Sequence, residues 1–293
     1  MPPRIPAGKA DEGGFHTYKI LAKRVLTPVT KLFLVSAPVV AEKAEPGQFV
    51  MLRLRAQGER IPLTIADFDR EAGTVTILVQ EIGLTSRLLG ALEEGDEILD
   101  LVGPLGLPAE LPTAGHVVCV GGGFGVAPIL PKAKLLHRRG VAVTSIIGAR
   151  TADLVIFDRE LEAVSNRLLV ATNDGSRGRR GIVTDCLRDL LEAGEQIDEV
   201  VAIGPMVMMR AVAEATRPYG IKTLVSMNPI MVDGTGMCGA CRMTVGGEVK
   251  FACVDGPIFD GHQVDFEEAI RRSQAYRAEE ELATKHEEAK QCR

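Results

Sequence analysis

The sequence predicts an α+β chain of several domains: an antiparallel β-barrel, a parallel-sheet α/β domain, a small cysteine-rich segment and a helical tail. Three observations predict it. Short period-two apolar runs, punctuated by Gly, Pro and Asp, occupy residues 15–112. From 113 to 225 short apolar runs alternate with helical patterns. From 226 to 262 periodicity stops and three cysteines crowd together, before a charged stretch over 263–293.

The barrel rests on strands such as Gly47–Leu54, with Val50, Leu52 and Leu54 on one face, and Thr74–Gln80, with Val75, Ile77 and Val79 on one face. One helix interrupts them, with Thr85 or Ser86 as its cap and Leu88, Leu89 and Leu92 as its stripe. The second domain opens with strand His116–Val120, a glycine-rich turn and helix Ala127–Arg139. Strands Val141–Gly148 and Leu168–Ala171, helix Ile182–Glu192, strand Glu199–Ile203, helix Val207–Arg217 and strand Lys222–Val225 follow. This alternation predicts parallel strands joined by right-handed crossovers. The irregular 226–262 segment needs an ordering force other than a core, and metal ligation supplies one. The tail carries only Phe266, Ile270 and Leu282 as an apolar stripe, and Met1–Gly14 reads as a mobile arm.

The 293 residues leave room for two domains of roughly 100–200 residues each. A net charge of −5 and the absence of Trp argue against nucleic acid as a partner. Runs such as Val117–Val120 and Val200–Ile203 fall far short of the roughly 20 residues that cross a membrane, so no membrane association is expected. The expected location is the cytoplasm, where thiols stay reduced. Clustered Cys238, Cys241 and Cys253 then point to a metal site rather than disulfides. Cys119 and Cys186 are assigned to packing and Cys292 to the tail.

The metal-site motif is Asp233-Gly-Thr-Gly-Met-Cys238-Gly-Ala-Cys241 with Cys253 beyond it. A 2Fe–2S cluster takes four ligands, often from a tight loop and one distant residue. Gly234, Gly236 and Gly239 permit the backbone to wrap it, and Asp233 supplies the fourth anionic donor. A structural zinc ion held by the three thiolates with Asp233 or His262 uses the same donors. The second motif, Gly121-Gly-Gly-Phe-Gly-Val-Ala-Pro128, follows a strand and opens a helix, where backbone N–H groups receive a pyrophosphate; a tight strand–helix turn is the alternative. Two weaker features are Arg60-Ile-Pro-Leu-Thr-Ile-Ala66, otherwise a β-edge, and Thr85–Ser86, a phosphate cradle or a plain cap.

Order and content together resemble the ferredoxin–NADP reductase superfamily, and the cysteine segment narrows this to the dihydroorotate dehydrogenase electron-transfer subunit family. Within it the chain resembles the small subunits of sulfide dehydrogenase and of electron-bifurcating NADH-dependent ferredoxin:NADP oxidoreductase. The resemblance implies FAD, NAD(H) and a 2Fe–2S cluster as cofactors. It implies a larger flavin and iron–sulfur partner subunit, which links the chain indirectly to ferredoxin and NADP(H). Arg60, Pro62, Leu63, Thr64, Ile65 and Ala66 match the isoalloxazine segment, with Thr64 near N5. The family's phosphate-binding Arg stands directly before the Pro, where this chain has Ile61 and Arg60 is one residue earlier. Gly83, Thr85 and Ser86 match the FAD pyrophosphate loop. Gly121, Gly122, Gly123, Gly125, Val126, Ala127 and Pro128 match the nicotinamide-nucleotide loop, and Gly204, Pro205 and Met206 the late turn near the nicotinamide. Asp174 falls on the adenosine side; Arg150, Arg177, Arg179 and Arg180 are candidates for a 2′-phosphate or a plain solvated face. Asp233 stands where dihydroorotate-type subunits have Cys and matches the bifurcating type. Alternative partners are a dihydroorotate or a sulfide dehydrogenase, and a flavin-binding redox sensor without turnover is a reading of another class.

Overall fold

The computed structural model describes residues 18–291, with side chains to Lys285. The Met1–Gly14 arm, residues 15–17 of the expected barrel and Cys292 lie outside the described residues.

The first sheet contains β1 (Tyr18–Thr27), β2 (Thr30–Ser36), β3 (Phe49–Arg53), β4 (Ile61–Asp69), β5 (Thr74–Gln80), β6 (Glu97–Ile98) and β7 (Asp100–Leu105). Helix α1 (Pro38–Lys43) follows β2 and α2 (Leu84–Gly90) follows β5. The strand order is β6-β1-β2-β5-β4-β3-β7, antiparallel throughout. The two edge strands, β6 and β7, are separated in the chain by Leu99 alone, so the sheet must curl until its edges meet. Alternation fills the interior: Val50, Leu52, Leu63, Ile65, Val75, Ile77 and Val79 form one buried cluster. On β3 the opposite parity, Phe49 and Met51, belongs to a different core.

The second sheet contains β8 (His116–Gly122), β9 (Ala142–Ala149), β10 (Arg167–Thr172), β11 (Arg179–Arg180), β12 (Glu199–Ile203) and β13 (Lys222–Ser226). They are connected through α3 (Val126–Arg138), α4 (Asp158–Glu162), α5 (Val183–Glu192) and α6 (Met206–Thr216). With β16 (Ile258–Asp260) at one edge, the order is β11-β10-β9-β8-β12-β13-β16, parallel except at that last member. The chain runs outward from β8 to β11, then returns to place β12 beside β8 on the other side. That reversal opens a crevice at the carboxyl ends of β8 and β12, where open α/β sheets bind ligands. Helix α3 fills the space between this sheet and the barrel: it lies against β4, and Val126, Ile129 and Leu130 pack with Leu32, Ala66 and Leu78.

The cysteine segment is more ordered than its lack of periodicity predicts. It holds a hairpin, β14 (Arg242–Val245) and β15 (Glu248–Phe251), and then β16 (Ile258–Asp260). Strand β16 pairs antiparallel with β13 and ends the nucleotide sheet, so the segment is an insertion before the last strand. The tail forms two helices, α7 (Phe266–Arg272) and α8 (Arg277–Gln291). Phe266 and Ala269 are buried, whereas Leu282 is exposed and does not extend the predicted stripe into a core. No described helix is long and apolar enough to cross a membrane.

Candidate functional site

The crevice at the switch point is a cleft of about 320 Å³, within the size range of small-molecule sites. Its floor comes from Gly122 at the end of β8 and from Gly123 and Phe124 beyond it, its sides from Arg150 and Asn173 after β9 and β10, and from Pro205 and Met208 after β12. Thr27, Val29 and Gln80 of the barrel close it from above. The glycines do different jobs. A Cβ on Gly125 would lie 2.2 Å from the Ile203 carbonyl oxygen, and one on Gly121 would lie 2.9 Å from Val126 Cα. Those two positions let the turn pack on β12 and on α3. Gly123 instead has φ +55 and nothing within 4 Å of a built Cβ, so it presents bare backbone to the cleft. A single tight turn, Gly123–Gly125, leads into α3 without a side-chain cap or an acidic residue; the Val126 N–H already bonds the Gly123 and Phe124 carbonyls and Pro128 has none, so an anion is met by the N–H groups of the turn itself. Gly121, Gly125, Ala127 and Pro128 support the turn from within, and Gly204 and Met206 sit behind Pro205, outside the lining. Phe124, within the glycine-rich motif, lines the cleft as that motif implies, whereas Asn173, Gly181 and Met208 line it without having been singled out in sequence; their signal is position at strand ends, not residue type.

On β4, Leu63 and Ile65 face the barrel core, while Pro62, Thr64 and Ala66 occupy the outer face beside the nucleotide sheet. Arg60 is exposed just before the strand. The cap expected at Thr85 or Ser86 belongs to Gly83. Ser86 Oγ accepts from the N–H groups of Ile82 (3.0 Å) and Gly83 (2.9 Å) and donates to the Gly83 carbonyl (2.9 Å). Thr85 is buried in the first turn, and Leu92 falls beyond the helix. The physical reason is that Ser86, inside the helix, reaches back to the cap, so its hydroxyl is already committed to the turn.

The cysteine loop lies on the neighbouring strand. A Cβ on Gly234, which has φ +78, would sit 2.7 Å from Met51 Cγ and 2.9 Å from Leu105 Cδ1. Met51 pairs with Pro62 and Phe49 with Thr64 across β3 and β4. The flavin-segment positions and the cysteine loop are therefore side by side on the outer face of one strand pair, where paired Cα atoms stand roughly 4.5–5.5 Å apart. The donors divide into an inner and an outer pair. Cys241 and Cys253 are each 1% exposed, with their sulfurs 3.2 Å apart. Burial, and then the hydrogen bond to Cys241, push the Cys253 thiol up to about 12. Cys238 is exposed, and Asp233 accepts from the N–H groups of Thr235 and Cys238, each at 2.8 Å. The Thr235 N–H in particular holds the Asp233 carboxyl below the usual carboxylate range.

Two sulfurs on one tetrahedral ion are about 3.8 Å apart at bond lengths of about 2.3 Å, so the inner pair fits one iron after a small opening. The thiol protons leave as metal binds. Among the described residues no three His, Cys, Asp or Glu side chains converge on a single ion. His262 lies elsewhere: its Nε2 is 3.0 Å from Thr216 Oγ1, and its carbonyl accepts from Arg217. This removes His262 from the zinc alternative and leaves the three thiolates and Asp233 as the donor set. The Asp-x4-Cys-x2-Cys spacing, followed by a distant Cys, is that of plant-type ferredoxins with Asp in the first place, a signal legible in the sequence itself. All five described cysteines are free.

Comparison with known proteins agrees with this geometry. Residues 228–265 match the iron-sulfur cluster binding domain of dihydroorotate dehydrogenase B. A Thermotoga maritima homologue of the dihydroorotate dehydrogenase B (NAD(+)) electron transfer subunit is 46% identical, covering 92% of this chain and 95% of its own length. The Bacillus caldolyticus electron transfer subunit of that enzyme is 36% identical over 86% of this chain and 98% of its own. A chain in the NADH-dependent reduced ferredoxin–NADP oxidoreductase structure, solved in a study of flavin-based electron bifurcation, superposes with a TM-score of 0.88. It is 44% identical, over 94% of this chain and 99% of that one.

Proposed function

This chain belongs to the family of dihydroorotate dehydrogenase B electron-transfer subunits, and from that premise we propose that it is the NADH-oxidising small subunit of an electron-bifurcating ferredoxin:NADP oxidoreductase. It is an oxidoreductase subunit of the ferredoxin–NADP reductase type, with FAD, NAD(H) and 2Fe–2S as its cofactors. When bound, these groups supply hydride acceptance at a flavin and one-electron relay through iron and sulfur.

The chain's residues hold and orient. Residues 15–112 carry the flavin, with Pro62 and Thr64 along its ring and the Gly83–Ser86 turn at its phosphates. Residues 113–225 carry the dinucleotide, with its pyrophosphate over Gly122 and Gly123 at the start of α3 and its nicotinamide beside Pro205. Residues 226–262 carry the cluster, with Cys241 and Cys253 on the inner iron and Asp233 and Cys238 on the outer. Helix α7 (Phe266–Arg272) braces that segment through Phe266 and Ala269. The observation that carries this reading is the shared strand pair: the cysteine loop stacks on Met51, whose neighbour across the ladder is Pro62. Separation by one strand spacing suits electron transfer without moving parts.

The outer donors lie among exposed Val232, Met237 and Val254, with Met237 90% exposed. We assign this apolar rim to the larger subunit, because it surrounds the donor pair that faces out of the chain. The free cysteines suit a reducing, cytoplasmic setting.

The test is anaerobic purification from the native host. The expected preparation is coloured, with two irons and one FAD per chain, its flavin is bleached by NADH, and a larger flavoprotein co-purifies. A chain with neither iron nor flavin overturns the reading, and a flavin that NADH leaves oxidised favours the sensor. NADP⁺ reduction driven by NADH and reduced ferredoxin supports the bifurcating partner; orotate production assigns a dihydroorotate dehydrogenase instead.

A further inference from the structure

The adenosine end of the cleft carries an arrangement of charges that the electron-transfer reading does not use. Resting on that reading, we propose that Asp174 is the residue that makes the cleft choose NADH over NADPH, and that Arg150 and Arg180 beside it form a latent 2′-phosphate site that its carboxylate masks.

The direction of the dinucleotide follows from the topology. Its nicotinamide end belongs at β8 and β12, next to the barrel, so its adenosine end extends over the carboxyl ends of β9, β10 and β11. Three side chains stand on those ends: Arg150 after β9, Asp174 after β10 and Arg180 on β11. The backbone ties them together. Asp174 N–H donates to the Arg150 carbonyl at 3.3 Å, and Arg180 is the register partner of Thr172. A Cβ on Gly175 would lie 3.0 Å from Arg180 Cβ, so the Arg180 stem runs beside the residue that follows Asp174.

The surrounding charges are mostly paired. Arg177 pairs with Asp158, Arg179 with Asp189 and Arg188 with Asp185, while Arg150 and Arg180 have no described partner. Asp174 Oδ1 accepts from Ser176 N–H at 3.0 Å and Ser176 Oγ at 2.7 Å. Those bonds hold the carboxyl below its usual range, so it is ionised at working pH. An ionised carboxylate at the ribose accepts from a 2′-hydroxyl and repels a 2′-phosphate. The two unpaired guanidiniums and the Ser176 donors are what a 2′-phosphate would bind once that charge is gone. Arg150 lines the cleft itself, and Asp174, Ser176 and Arg180 stand beside that lining on the same strand ends, where Asp174 acts as the gate.

The experiment titrates the full-length, flavin-loaded chain calorimetrically with AMP and with adenosine 2′,5′-bisphosphate, alongside anaerobic stopped-flow flavin bleaching by NADH and NADPH. The wild type is expected to prefer AMP and NADH. Asp174→Asn is expected to shift both ratios toward the 2′-phosphorylated ligand by roughly 10- to 100-fold. Adding Arg150→Ala and Arg180→Ala to Asp174→Asn is expected to abolish the shift. A wild type that binds the bisphosphate at least as tightly as AMP overturns the gate, as does an Asp174→Asn variant with unmoved ratios. If NADH bleaches the flavin but the ratios stay fixed, the gate alone fails; if no nucleotide binds or bleaches, the assignment of the cleft fails with it.

Discussion

Asp233 is a hard oxygen donor in a place where thiolate would be the softer match for iron, and it already organises its loop through the N–H groups of Thr235 and Cys238. Asp233→Cys is therefore expected to keep the cluster while changing its EPR signature and potential. An unaltered redox titration would remove Asp233 from the ligand set. Lys132 makes a different point at the same scale. It is completely buried in α3, donates to the Pro128 carbonyl at 3.0 Å, and burial pulls its pKa down from 10.5 to about 8 despite the opposing effect of Cys119. Below about pH 8 both folded and unfolded chains hold the proton, so the folded state bears the full desolvation cost, on the order of 3 kcal/mol. Between pH 8 and 10.5 the unfolded chain binds more protons and stability rises with pH, until the cost is gone. Lys132→Met is expected to stabilise the protein at pH 7, with a gain that shrinks at about pH 9.5, as read by denaturant unfolding. A gain independent of pH would mean that packing, not charge, limits this site.

At the scale of elements, glycine contacts give sharp expectations. Gly125→Ala pushes a methyl against the Ile203 carbonyl and must part the β8 turn from β12. NADH affinity is expected to fall by roughly tenfold or more, with the iron content unchanged. Gly234→Ala strains a left-handed residue and collides with Met51, so iron content is expected to fall while NADH still bleaches the flavin. Where periodicity carried the information, the elements were legible: Glu199–Ile203 is a strand with the predicted bounds, and α3, α5 and α6 begin within a residue of expectation. Helix α1 was not, because its six residues are too short for a periodic stripe and no side-chain cap marks its start, although Pro38 opens it and Lys43 ends it. The β14–β15 hairpin was legible but missed: Val245-Gly-Gly-Glu248 is a two-residue turn signal. The pairing of β16 with β13 was not, since it joins segments held together only through the cysteine insertion. The site followed the same rule. Ligands close in sequence, Asp233 to Cys241, were readable as a set, whereas Asn173 and Met208 reach the cleft only through strand order.

At the scale of the whole molecule the tail divides in two. Helix α7 belongs to the cluster core: Phe266 and Ala269 pack with Cys241, Met243 and Cys253, and Glu268 accepts from Thr244 N–H at 3.0 Å. Helix α8 is charged and largely exposed over its described side chains, and it lies against α2. Truncation after Tyr276 is expected to preserve iron content; because α8 lies against α2, flavin content is measured alongside, and where it too is unchanged any loss of the larger subunit in a pull-down reports docking by α8. Truncation at Asp265 is expected to strip the cluster as well and would confound the two. Residues 227–257 leave the sheet after β13 and return as its final strand. During synthesis the ribosome therefore releases the metal-binding loop before the strand that seals the sheet edge. A chain starved of iron would hold that edge loosely and offer it to proteases or to another open edge.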